Sequence, residues 1–162
     1  MAAAGHSLIK NKMRETGALL AGEMSGHICF ADNYYGFDDA VFAACRILQI
    51  VAESKQKVSE MLADLPETAS TPEIRIDCPD DKKFGIVREL TEIFSEKYDV
   101  IDIDGVRIKF DGGWALIRAS NTQAILVLRF EAVNDERLQE LVVLVKKQMD
   151  KYQPVVQFNY KP

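Results

Sequence analysis

Residues 66–72 read Pro-Glu-Thr-Ala-Ser-Thr-Pro, and no other stretch limits the chain's possible folds as much. Proline fixes φ and lacks an N–H, while Ser and Thr offer the backbone local hydrogen bonds in place of a helix or ladder. Two prolines and three hydroxyl residues in seven positions therefore predict a linker over 66–72. An irregular piece, 1–65, lies before it, and a regular one begins at residue 73.

The regular piece switches between two periods. Ile74, Ile76 and Cys78 alternate as a strand. Asp80 or Asp81 then caps a helix striped by Ile86, Val87, Leu90, Ile93 and Phe94. Val106, Ile108 and Phe110 alternate before Asp111-Gly112-Gly113 turns the chain, and 114–119 and 125–130 make two more strands. Asn134 caps a last helix with Leu138, Leu141, Val142, Val145 and Met149 on one face. The order β-α-β-β-β-α predicts an α+β domain over 73–153: an antiparallel four-stranded sheet with two helices on one face. The apolar stripes of 73–152 are expected to close a core without help, leaving 154–162 as a tail.

Residues 1–65 predict a partial α/β domain. A helix is expected over 6–15, strands near 18–21 and 27–30, and a helix from an Asp38 cap to about Glu53, striped by Val41, Ala44, Cys45, Leu48 and Val51. A shorter helix is expected over 58–63. Two short strands and two or three helices make a thin core, so this piece reads as incomplete.

Composition narrows the function classes. Of 162 residues, 48% are hydrophobic and 28% charged, which supports a packed core and a solvated surface. The net charge of −5 is spread evenly: 1–64 carries 6 basic and 8 acidic residues of the total 20 and 25. With no basic half, no nucleic-acid partner is expected. The apolar runs are too short to span a bilayer, so no membrane partner is expected either. Cys29, Cys45 and Cys78 form no CxxC pair and read as packed thiols in a reducing cytoplasm.

Two polar stretches carry chemistry. In Gly22-Glu-Met-Ser-Gly-His27, acid, hydroxyl and imidazole occupy every second position. An extended backbone would put Glu23, Ser25 and His27 on one side, about 7 Å apart. Arg118-Ala-Ser-Asn-Thr122 gathers a guanidinium fork, two hydroxyls and an amide at a strand end, a set suited to a phosphate ester. Taken alone, those five residues read as a hairpin turn.

Together with YGFDD at 35–39, DGVRIKF, GWALIRASNT and LVLRFEA, the segment GHSLIKNKMRETGALLAGEMSGH resembles the C-terminal part of the α-D-phosphohexomutases, specifically the bacterial phosphomannomutase/phosphoglucomutase branch. The resemblance runs from Gly5 to Tyr152. It implies that 1–65 is the latter half of a third, sugar-recognition domain and 73–153 the fourth, phosphate-binding domain. Such enzymes move a phosphoryl group between the 1 and 6 positions of a hexose, using a phosphoserine in the first domain and Mg²⁺ in the second. Thr68-Ala-Ser70 and Asp102-Ile-Asp104-Gly105 only approximate the family's serine and metal loops, so the expected cofactor is none in this chain and Mg²⁺ in the parent.

By that resemblance Glu23 and Ser25 bind sugar hydroxyls. His6 and His27 shuttle a proton or orient a hydroxyl, and Arg118, Ser120, Asn121 and Thr122 grip the phosphate that is not being transferred. The implied partners are a phosphorylated hexose, bound weakly, and the missing N-terminal domains. The chain departs from the family at Gln123-Ala124, where Thr or Glu followed by Pro is usual; this relaxes the exit of the turn. Arg129 supports that turn, lies at a domain interface or is a solvated strand residue. A rival expectation is a free-standing module that binds a phosphorylated ligand.

Overall fold

A computed structural model describes residues 2, 5–23 and 25–160. The chain divides into two units, Met1–Pro66 and Glu67–Pro162.

In the first unit α1 (His6–Thr16) ends where Gly17 takes a left-handed conformation, its N–H donating to the Met13 carbonyl. β1 (Leu20–Gly22), β2 (Ile28–Phe30) and β3 (Phe37–Asp38) form an antiparallel sheet in the order β1-β2-β3. Ile9, Met13 and Cys29 are its buried apolar cluster, packed on Ala18, Ala21 and Ala31. Helix α2 (Ala40–Glu53) is capped by Asp39 rather than Asp38, because Asp38 is still paired with Cys29 in the sheet. Asp39 Oδ1 accepts from the Phe42 N–H and Oδ2 from the Tyr34 hydroxyl. The Tyr34 bond, and then the Phe42 N–H, hold the Asp39 carboxyl below the usual carboxylate range. The helix expected over 58–63 is a single 3-10 turn at Val58–Glu60.

The stripe predicted on α2 is present but faces outward. Val41 is 75% exposed and Leu48 66%, and Ala44 and Cys45 are exposed beside them. Cys45 is therefore not a packed thiol. Cys29 and Cys78 are, and burial pushes both of their thiols up. Periodicity identifies which positions share a face; it cannot say whether the chain supplies something to cover that face.

In the second unit β4 (Ala69–Ser70) and β5 (Ile74–Asp77) precede α3 (Asp80–Ser95), followed by β6 (Asp99–Ile101), β7 (Val106–Phe110), β8 (Gly113–Ala119), β9 (Ile125–Ala132) and α4 (Asp135–Met149). Among the described residues all ladders are antiparallel, and the sheet has six strands where four are predicted. β4 and β5 both pair with β9, which pairs with β8 on its other edge, and β7 and β6 follow. Ser70 lies opposite Glu131 and Ile74 opposite Leu128, so three residues face two and the edge is bulged. Pro72 sits in that bulge, where a missing N–H costs nothing. Buried Thr71 spans the break: its N–H donates to the Phe130 carbonyl, and its Oγ1 accepts the Phe130 N–H. The second half of the predicted linker thus belongs to the sheet.

Alternate residues of the strands, among them Ile108, Ile117, Leu126, Leu128 and Phe130, are fully buried, and the predicted α4 stripe and the α3 stripe apart from partly exposed Ile93 are buried with them. Asn134 caps α4 as expected, its side chain accepting from the Arg137 N–H. Asp80 and Asp81 do not cap α3; they lie in its first turn, where carboxylates favour the helix dipole. The expected tail is also part of the core. Val156 and Phe158 are buried, Phe158 stacks on Phe130 at 6.3 Å, and Lys146 Nζ donates to the Phe158 carbonyl.

Tyr152 leads into that segment. Burial, then a hydrogen bond to Glu89 and its charge, push the phenol up to about 12. Because the folded value lies above the unfolded one, near 10, this stabilisation is complete below pH about 10 and is lost as pH rises through about 12. Urea midpoints measured across that window should fall more steeply for the wild type than for Tyr152→Phe. No helix of the described residues is long and apolar enough to cross a membrane.

Candidate functional site

The first cluster sits on the hairpin joining β1 and β2. Gly22 pairs with Ile28, and the Glu23 N–H donates to the His27 carbonyl, so the ladder runs one pair further. Gly26, at φ +90° and with its N–H donating to the Glu23 carbonyl, allows the chain to reverse between Glu23 and His27. The backbone is therefore a tight turn rather than the extended segment expected, and the side chains meet because of it. Ser25 Oγ and His27 Nδ1 are 2.7 Å apart, and Glu23 Oε2 is 3.2 Å from the same nitrogen. A single Nδ1 serves two oxygens, so whether it donates to the carboxylate or accepts from the hydroxyl depends on where the imidazole carries its proton. Asp38 Oδ2, from β3, stands 3.8 Å from Nε2; spacing along the sequence gave no sign of this neighbour.

The other Glu23 oxygen accepts the Gly5 N–H at the start of α1, 3.0 Å away. This contact brings the first residue of α1, exposed His6, to the edge of the same cluster. Glu23, Ser25 and His27 are thus one group, and His6 follows the glycine whose N–H that group holds. Met24, inside the motif, lies outside the described residues.

The second cluster is on the 120–124 turn between β8 and β9. Ser120 is buried, and its Oγ accepts the N–H groups of Thr122 and Gln123 at 3.3 and 3.1 Å. Its oxygen therefore shapes the turn and keeps only its own proton to donate outward. Those two backbone amides are engaged with it rather than open to an anion. Asn121 and Thr122 are exposed. Arg118, one residue before the end of β8, donates from Nη1 to Asp104 Oδ2 at 3.1 Å, while its Nε is buried without an acceptor. Gly105, beside Asp104, packs directly on the Arg118 backbone. The sequence reading missed Asp104, because the pairing of β7 with β8 is what brings the 102–105 loop alongside residue 118. An open groove of about 400 Å³, lined by Phe84, Arg88, Glu92, Asp102, Asp104 and Ala119, adjoins this pair.

Lys83 was also missed. Although charged, it is buried on α3, its Nζ bonded to Asp80 Oδ1 and, at 2.9 Å, to the Gln123 carbonyl at the exit of the turn. The signal that could have found it is its position, in helical register with Ile86, Val87 and Leu90 on the apolar stripe. Arg129 is partly buried, and its Nε has no acceptor. Among the described residues no three His, Cys, Asp or Glu gather as a metal-binding group.

Comparison with known proteins gives these clusters a context. The model of phosphoglucomutase/phosphomannomutase α/β/α domain III matches residues 1–69, and that of the C-terminal domain matches residues 73–148. A phosphomannomutase/phosphoglucomutase of Pseudomonas putida is 45% identical over 157 residues, covering 96% of this chain and 34% of that protein. A phosphoglucomutase of Neisseria gonorrhoeae is 47% identical over 131 residues, covering 79% and 28% respectively. A solved structure of a phosphoglucomutase/phosphomannomutase family protein from Burkholderia thailandensis superposes with a TM-score of 0.84 at 39% identity, covering 99% of this chain and 34% of that one. The chain spans about a third of the length of the relatives it matches. On the match of both family domains along its length, the chain belongs to the phosphoglucomutase/phosphomannomutase family, whose domain III and C-terminal regions it carries.

Proposed function

We propose that this chain supplies the sugar-hydroxyl and phosphate contacts of a phosphohexomutase, while the phosphoserine and the Mg²⁺ of the whole enzyme belong to the two thirds of the relatives' length that it does not span. The observation that carries this reading is the hairpin gathering Glu23 and Ser25 around His27 Nδ1, at 3.2 and 2.7 Å. Glu23 accepts from neighbouring hydroxyls of a hexose, as one carboxylate can. His27, with His6 nearby, orients a hydroxyl or moves its proton. Arg118 offers a planar fork to the distal phosphate, with the Ser120 proton, Asn121 and Thr122 completing the grip. The donor set among the described residues does not suit a divalent cation, so no step is routed through a metal in this chain.

The rival reading, a free-standing phosphate-binding module, fits less well. A helix as apolar as α2, with Val41 and Leu48 exposed, is built to be covered, and a free-standing module would leave it bare.

The test is a titration of the 162-residue chain with glucose 1-phosphate, followed by amide shifts. A Kd of roughly 1 mM or weaker is expected, since an incomplete cleft recovers only about 4 kcal/mol beyond the cost of association. Shifts should concentrate at 118–122 and 23–27, and Arg118→Lys should weaken binding several-fold by removing the fork. Shifts confined to other residues, or an unaffected Kd in the variant, would overturn the assignment. Assayed by itself, the chain is expected to give no mutase turnover.

A further inference from the structure

We propose that Lys83 is a positioning residue for the 118–122 turn, its buried ammonium clamping the turn's exit from helix α3. This rests on the reading that the turn binds phosphate.

A lysine enclosed in protein is rare unless it is paired, because its desolvated charge must be compensated. Lys83 Nζ has that compensation from Asp80, one helical turn earlier, and the aromatic face of Phe84 lies 5.1 Å away. The remaining contact is to the Gln123 carbonyl, forty residues distant in sequence. That carbonyl already accepts the Ile125 N–H at 2.9 Å, so its two lone pairs are both used. The adjoining Ala124 carbonyl accepts the Cys78 N–H, just past the end of β5. Residues 123 and 124 are thus pinned from two elements, and the charged bond is the stronger pin.

What the pin secures is the amide geometry just before it. Ser120 Oγ is bonded to the Gln123 N–H, whose peptide neighbour is the carbonyl that Lys83 holds. Freeing Gln123 would let Ser120 rotate and the backbone of Asn121 and Thr122 spread. Ala124, lacking proline's fixed φ, provides no restraint of its own at this exit. A salt-bridged lysine on an adjacent helix does that work here from outside the loop.

The experiment compares wild type, Lys83→Met and Lys83→Arg in the 162-residue chain by amide hydrogen exchange and by glucose 1-phosphate titration. Lys83→Met, which keeps the stem and removes the charge, should speed exchange at Gln123 and Ile125 by roughly tenfold. Protection at Leu128 and Leu141 should be unchanged. Its phosphosugar Kd should rise several-fold, and Lys83→Arg should restore part of both effects. If Lys83→Met does not fold, Lys83→Gln, which also removes the charge and shortens the stem away from Gln123, carries the same comparison. A folded variant with unchanged exchange at 123–125 would overturn the proposal. If the wild-type turn does not respond to glucose 1-phosphate while exchange still separates the variants, the phosphate reading fails and the clamp stands.

Discussion

Replacing Phe158 by alanine is expected to destabilise the second unit by about 3–5 kcal/mol, a cost typical of emptying a buried aromatic site. The residue lies within 154–162, where a tail is predicted, yet it is 1% exposed and stacks on Phe130 in the middle of the sheet. Lys146 holds its carbonyl, so the segment cannot slide to refill the space. The measurement is a urea melt followed by Trp114 fluorescence, since that side chain lies on β8. A loss below about 1 kcal/mol would mean that residues 153–160 dock weakly. The same contact sets the boundary of an independently folding piece: 67–160 should melt cooperatively, and 73–152 should be much less stable.

Gly105→Ala should be nearly as damaging, at about 2–5 kcal/mol, from a single added methyl. Gly105 has φ +79°, and a Cβ there would lie 2.3 Å from the Ile117 carbonyl oxygen and 2.7 Å from Arg118 Cα. The obstacles are backbone atoms of a central strand, which cannot swing aside as a side-chain tip would. Relief must come from moving the 102–105 loop off β8, and that also withdraws Asp104 from Arg118. The variant should therefore show both a lowered urea midpoint and a displaced Arg118 side-chain signal. Gly85→Ala is the control: nothing lies within 4 Å of its Cβ position in α3, and helix propensity should raise stability by about 0.5–1 kcal/mol. If the two substitutions behave alike, the close approach at Gly105 is not the cause.

A period repeated over several turns or strands is legible in the sequence as an element with one apolar face. Leu138, Leu141, Val142, Val145 and Met149 are buried on α4 as their spacing required, and Asn134 caps it. Short elements were read less well. β3, β4 and β6 have two or three residues each, too few to display alternation, and they exist because a longer neighbour offers an edge. In the first polar motif the side chains do come together, but by a different geometry from the one its spacing suggests. Glu23, Ser25 and His27 meet through a glycine-hinged turn and not along an extended strand.

The amino-acid order by itself determined the helix stripes, the alternating central strands, the two-part division and the family, because each is encoded in residues close together or in motifs quoted whole. Tertiary structure alone decided that Lys83 reaches Gln123, that Asp104 holds Arg118, that Phe158 completes the core and that the stripe on α2 is left uncovered. Each of these depends on which distant segments the folded sheet brings side by side, a property of the closed chain that no local period records.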